Sequence, residues 1–181
     1  AWPRRAPEAP TDVRWLGDTE DHLVARTAAD TVAFYQLKTE SRTASAVANA
    51  KLTPVGSPAV VLAPGVRITA IAVFSHGAAQ PAAEGIAAQR SAICVLGSDN
   101  SVQLLHVRWV PRADGLPGTS PRVVPVAAYV FPPARESVAE AAMLDEETVV
   151  ASTTAGRVVR LAVTGATFDV TALERPALAG V

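Results

Sequence analysis

The residues best suited to chemistry gather in Gly17-Asp18-Thr19-Glu20-Asp21-His22, where three acids and a histidine fall within six positions. Carboxylates beside an imidazole are the parts of a cation site or of a general acid–base pair. The acids lack the ordered alternation of a calcium loop, and the stretch separates two apolar runs, so a solvated turn accounts for it. A hydrolase on a β scaffold, using Asp18, Asp21 and His22, is the catalytic reading left open. Leu144-Asp145-Glu146-Glu147-Thr148 reads as a second acidic turn. Ser75 beside His76 has no orienting acid, and adjacent residues in a turn rarely point at one atom. The three histidines, His22, His76 and His106, come from different runs and would serve a metal only if the fold joined them. Phosphate loop, dinucleotide glycines, nucleophile elbow and zinc helix are all missing from the sequence. No catalytic residue, metal ligand or cofactor is therefore expected.

Residues that could hold a partner are easier to find. Arg108, Arg112, Arg122 and Arg135 face only Asp114 in the interval they span, and Glu136, Glu140, Asp145, Glu146 and Glu147 then follow. Scattered surface charge explains them as solvated loops and turns. The functional alternative is a surface that reads an acidic peptide. Trp2 stands in the Pro-rich leader, residues 1–11, either as a docking residue or as part of a mobile tail. Trp15 and Trp109 lie in apolar runs and read as packing residues. Trp2, Arg108, Arg112, Arg122 and Arg135 are thus the candidate partner-binding residues.

The balance of 16 Lys+Arg against 17 Asp+Glu gives no field that favours nucleic acid or an anionic membrane, and basic and aromatic residues do not interleave as in base-stacking surfaces. The single cysteine, Cys94, excludes an internal disulfide and multi-cysteine zinc patterns, and its setting in Ser91-Ala-Ile-Cys-Val-Leu-Gly97 reads as a buried small apolar residue. No apolar run reaches the roughly 18 residues of a membrane helix, and the first ten residues do not resemble a signal peptide. An intracellular protein, cytoplasmic or nuclear, is the expectation.

The elements that must position these residues are strands. Hydrophobic residues make up 49% of the 181 positions but aromatics only 5%, so stiff aliphatic side chains supply the core. Three paired runs share one plan: His22–Leu37, Ser91–Val107 and Thr148–Val163. In each, an apolar run meets a small polar turn at Ala29-Asp30, Asp99-Asn100 or Ala155-Gly156, and a second run follows. Asp, Asn and Gly tolerate the positive φ of tight hairpins. In Val102 to Val107 neither alternating set is fully polar, which predicts a strand covered on both faces. Further runs flank the hairpins: Asp12–Leu16, Arg67–Phe74 and Ser137–Leu144 before them, and Ala59–Ala63, Arg122–Phe131 and Thr167–Leu173 after them. Ser137–Leu144 has the alanines and glutamates of a helical turn, but its place in the repeat assigns it to a strand.

Ile68-Thr-Ala-Ile-Ala-Val-Phe-Ser-His-Gly77 resembles the first strand and turn of a WD40 repeat, and Val149–Val163 resembles its middle, where Ala-Ser precedes a small turn and a Val-x-Leu strand follows. The Gly-His and Trp-Asp dipeptides of that family are absent, and Tyr35, His106 or Ala162 takes the strand-end position of its tryptophan. Val32 to Val102 spans 70 residues and Val102 to Val158 spans 56, against roughly 40 to 45 in a standard repeat. Loops at residues 38–58, 75–90 and 110–121 absorb the excess.

The resemblance implies an all-β fold, a β-propeller portion over residues 12–181 with three four-stranded antiparallel blades at about 12–63, 67–131 and 137–173. A sandwich or barrel is the alternative. Because a propeller closes with about four to eight blades, three leave open sides for other protein to cover. The function this implies is a non-catalytic scaffold, an interaction subunit of a larger assembly whose partners are other subunits or the rest of a propeller. A peptide reader and the hydrolase above are its rivals.

Overall fold

The computed structural model describes residues 9–16, 22–38, 51–75, 90–112, 119–132 and 136–173. Every regular element among them is a strand: β1 Pro10–Leu16, β2 His22–Thr27, β3 Val32–Lys38, β4 Lys51–Pro54, β5 Ile68–Ser75, β6 Arg90–Gly97, β7 Ser101–Pro111, β8 Thr119–Val130, β9 Val138–Met143, β10 Thr148–Thr153, β11 Val158–Thr164 and β12 Thr167–Leu173. They form three four-stranded antiparallel sheets, each a simple meander in chain order. The sheets stack in sequence, with β5 beside both β1 and β9 along one edge and β8 beside β12 along the other. This is the layout of a partial β-propeller rather than of one closed barrel. No helix of the described residues is long and apolar enough to cross a membrane.

The threefold pattern is built into the backbone. Each central hairpin turns through a residue with positive φ, Asp30 (56°), Asn100 (65°) or Gly156 (76°), at the same place in the turn. At each, its N–H donates to the residue three back: Asp30 to Thr27 O at 3.1 Å, Asn100 to Gly97 O at 3.1 Å, Gly156 to Thr153 O at 2.9 Å. The first strand of each sheet carries a bulge just inside its start, at Thr11, Thr69 and Ala139, and thereby bends against its neighbour. Ser98 and Thr154 each clasp the chain leading into that first strand. The Ser98 N–H donates to Arg67 O (2.8 Å) and its Oγ accepts from Arg67 N–H (3.0 Å); Thr154 does the same with Ser137 at 2.8 and 3.0 Å. In the first sheet Ala28 keeps only the backbone bond, to Ala9 O at 3.0 Å.

Alternation divides every strand between two faces. The first and second sheets enclose Leu16, Val24, Val32, Phe34, Ile68, Ile71, Ile93, Val95, Leu105, Val107 and Trp109. The second and third enclose Cys94, Leu96, Val102, Leu104, Val149, Ala151, Val159, Leu161 and Phe168. β7 is covered on both faces, as its sequence predicts, with Val102, Leu104, Leu105 and Val107 all at 0% exposure. The back of one sheet thus packs on the front of the one before. The back of the first sheet, with Leu23, Ala25, Ala33 and Tyr35, is also buried.

Three expectations change. The fourth strand of the first sheet is Lys51–Pro54, not Ala59–Ala63. Pro58 and Pro64 bracket that apolar run, and it joins the sheet only through a bridge from Ala59 to Val32, while Val61 and Leu62 pack into the first seam and Val60 stays 75% exposed. Proline cannot extend a hydrogen-bonded ladder, so apolar content alone does not make a strand here. Trp15, next to last in the edge strand β1 and on its back face, is 55% exposed, whereas Trp109 is buried. Glu136, read as a solvated acid, accepts from the Thr153 hydroxyl (2.8 Å) and pairs with Arg157 (2.7 Å). Ser137–Leu144 forms the strand assigned to it, β9.

Candidate functional site

Register makes positions in the three sheets comparable one by one. On the front faces, Val24, Cys94 and Val150 are equivalent, as are Arg26, Leu96 and Ser152; Val32, Val102 and Val158; and Phe34, Leu104 and Arg160. In the first two sheets these positions are closed by the next sheet. In the third, no described sheet closes them. Phe34 and Leu104 fill the seams at 2% and 0% exposure, while Arg160 at the same position is exposed, and Val158 is 37% exposed against 0% for Val32 and Val102.

The open face has a definite chemistry. Across its strands, Glu140, Ser152, Val158 and Leu173 lie in one row, Ala142, Val150, Arg160 and Thr171 in the next, and Ala162 beside Asp169 in a third. Apolar and charged side chains alternate at about the spacing of cross-strand pairs, so the face is neither a core nor a fully solvated surface. At its margin Asp145 is held below the usual carboxylate range, chiefly by the Glu147 N–H at 2.8 Å, then by the Thr148 hydroxyl and N–H and the Arg160 charge, against an opposing push from burial. That bonding orders the acidic turn read from Leu144–Thr148. Arg160 was invisible as a candidate because one arginine in a strand is unremarkable; aligning the three hairpins on their turns exposes it.

The arginines singled out from the sequence partly converge. Arg108 on β7 lies directly opposite Arg122 on β8, and both are exposed. Like charges in register repel, so this pair has no stabilising role in the sheet. Arg112 is exposed one residue beyond β7, away from that row. Trp2 and Arg135 lie outside the described residues, as do Asp18, Asp21, Asp114 and His76.

His22, the described member of the first acidic cluster, packs against Trp109 with ring centroids 4.2 Å apart and the rings tilted by 42°. Trp109 Nε1 is buried with no acceptor among the described residues. His106 Nε2 lies 3.3 Å from Glu146 O, tying the second sheet to the acidic turn of the third. Among the described residues no group of three or more His, Cys, Asp or Glu is placed to hold a metal ion. Cys94 is fully buried and burial pushes its thiol up from 9.0 to about 12, which removes the thiolate needed for reactivity at neutral pH.

No family model and no curated protein sequence matches this chain. Among solved structures, the chain is similar to the WD40 domain of SCAP from fission yeast, at 8% sequence identity and a TM-score of 0.45 over 92% of its own length. It spans 42% of that chain.

Proposed function

We propose that this chain is a non-catalytic interaction subunit, a propeller portion that holds partner protein within a larger assembly. The observation that carries the reading is the open front of the third sheet, where Val158 and Arg160 occupy positions that the other two sheets close with protein and Leu173 lies exposed beside Val158. A face of mixed apolar and charged side chains suits an interface with another folded surface, either the rest of a propeller or a separate subunit. Covering Val158 and Leu173 would remove apolar area from water at roughly 25 cal/mol per Å2.

The test compares the native particle in its source cells with a Val158→Asp/Arg160→Glu variant. The unaltered chain is expected in a particle heavier than its own 18.7 kDa, and the variant, still folded by circular dichroism, as the free chain. An unaltered chain that runs at 18.7 kDa in the extract overturns the reading.

A second reading, an acidic-peptide reader, draws on the Arg108 and Arg122 pair. Reversible binding that weakens steeply with salt and is lost in the Arg108→Ala/Arg122→Ala variant supports it over a permanent subunit.

A further inference from the structure

A cleft of about 420 Å3 opens at the hairpin end of the seam between the first and second sheets, lined by Thr11, Arg26, Asp30, Arg67, Ile68 and Thr69 among others. That volume lies within the range of sites for small ligands or single side chains. The cleft owes its walls to residues that already hold the seam. Arg26 donates from Nε to Thr11 Oγ1 (2.9 Å) and from Nη1 to Ile68 O (2.5 Å) and Thr69 O (2.9 Å). Asp30 Oδ1 accepts from the Ile68 N–H (3.0 Å). Among the described residues no counterpart of this staple stands in the other sheets, where Leu96 and Ser152 replace Arg26 and Asn100 and Gly156 replace Asp30.

The staple uses three of the five N–H groups of Arg26 and leaves both on Nη2 without an acceptor among the described residues. The guanidinium is fixed, yet two of its five N–H groups are unspent. Arg67 is anchored through its main chain, which Ser98 clasps on both sides, while its side chain is exposed and no carboxylate pairs with it among the described residues. Two guanidinium groups against one carboxylate leave the lining with one net positive charge.

We propose that this cleft binds a single carboxylate borne on a partner's polypeptide chain, an Asp or Glu side chain, with Arg26 Nη2 and Arg67 as its donors. A monoanion balances the net charge of the lining. A phosphate dianion overbalances it and sits beside the Asp30 carboxylate. An Nη2 N–H of Arg26 can serve one carboxylate oxygen and the Arg67 guanidinium the other, and the pre-fixed Arg26 loses little side-chain freedom on binding. The site lies in the first seam, apart from the open face of the third sheet, so it stands or falls independently of that surface.

The test titrates the full chain into a labelled Glu-Gly repeat peptide and follows fluorescence anisotropy, with a Gln-Gly peptide as the uncharged control. Saturable binding is expected for the Glu peptide only, weakened about tenfold or more by Arg67→Ala, which removes no contact that holds the fold. Arg108→Ala/Arg122→Ala retains it, and acetate displaces the peptide at lower concentration than inorganic phosphate. Equal binding of the Gln peptide, unchanged affinity in Arg67→Ala, loss through Arg108 and Arg122 instead, preferential displacement by phosphate, or no binding at all would each overturn the proposal.

Discussion

Leu104 and Arg160 occupy the same register position on two sheets of the same strand order, yet one is sealed from water and the other is exposed. Backbone pairing, turn and bulge repeat in both sheets. What differs is the row of front-facing side chains: Cys94, Leu96, Val102 and Leu104 in the second sheet, Val150, Ser152, Val158 and Arg160 in the third. Main-chain geometry is therefore common to the two sheets, and the front-facing side chains set how polar each front is. The front of the third sheet is mixed rather than polar throughout, since Val158 and Leu173 are exposed beside Arg160.

The most damaging way to test this contrast is to make the second sheet resemble the third. Leu104→Arg buries an unpaired charge between two sheets, and a loss of about 4 kcal/mol or more is expected in urea unfolding, enough to abolish a cooperative transition in a marginal domain. A loss below about 1 kcal/mol would mean that the seam opens easily and that Leu104 and Arg160 have similar surroundings in solution.

The turns give a smaller effect of the same kind. Asp30→Ala removes the acceptor of the Ile68 N–H and strains a positive φ, for an expected cost of about 1–3 kcal/mol. Gly156→Ala at the equivalent turn adds strain alone, about 1 kcal/mol, since no atom stands within 4 Å of the new methyl group. Equal costs in denaturant unfolding would show that Asp30 contributes nothing across the seam.

The repeat was legible because its signals are local. Asp30, Asn100 and Gly156 announce the turns, and the valine-rich runs beside them form strands where expected, including Ser137–Leu144 despite its helical composition. The 70- and 56-residue separations of the turns survive intact in the structure. Ala59–Ala63 misled because its apolar content is spent on packing Val61 and Leu62 into a seam, a role that periodicity cannot separate from a strand. The candidate sites were harder to read. The Arg108 and Arg122 pairing and the Arg26 contacts to Ile68 and Thr69, over 40 residues away, depend on register and on sheet stacking, which no local pattern encodes.

Cysteine chemistry sharpens the comparison without perturbing either seam greatly. Cys94 should resist a thiol reagent at neutral pH in the native protein, whereas a cysteine placed by Val150→Cys, at the equivalent half-buried position of the third sheet, should label readily. The same burial sets a pH dependence. A thiol whose folded value is raised favours the folded state fully below its unfolded value near 9, and that contribution declines as pH rises through about 12. Stability measured against pH should therefore fall above about pH 9 in the native chain and fall less in Cys94→Val. Rapid labelling of native Cys94 at neutral pH would show that the seam between the second and third sheets breathes open.

The mildest substitution separates stability from association. Arg160→Leu restores to the third sheet the residue type of Leu104, and because Arg160 is exposed, the unfolding free energy should change by no more than about 0.5 kcal/mol. The face, however, would then join Val150, Val158 and the new leucine into one apolar patch, the kind that drives contact with other protein. Concentration-dependent self-association by light scattering is the expected outcome for the variant and not for the native chain. If both remain monomeric at high concentration, the charge of Arg160 is not what keeps this face from associating with itself.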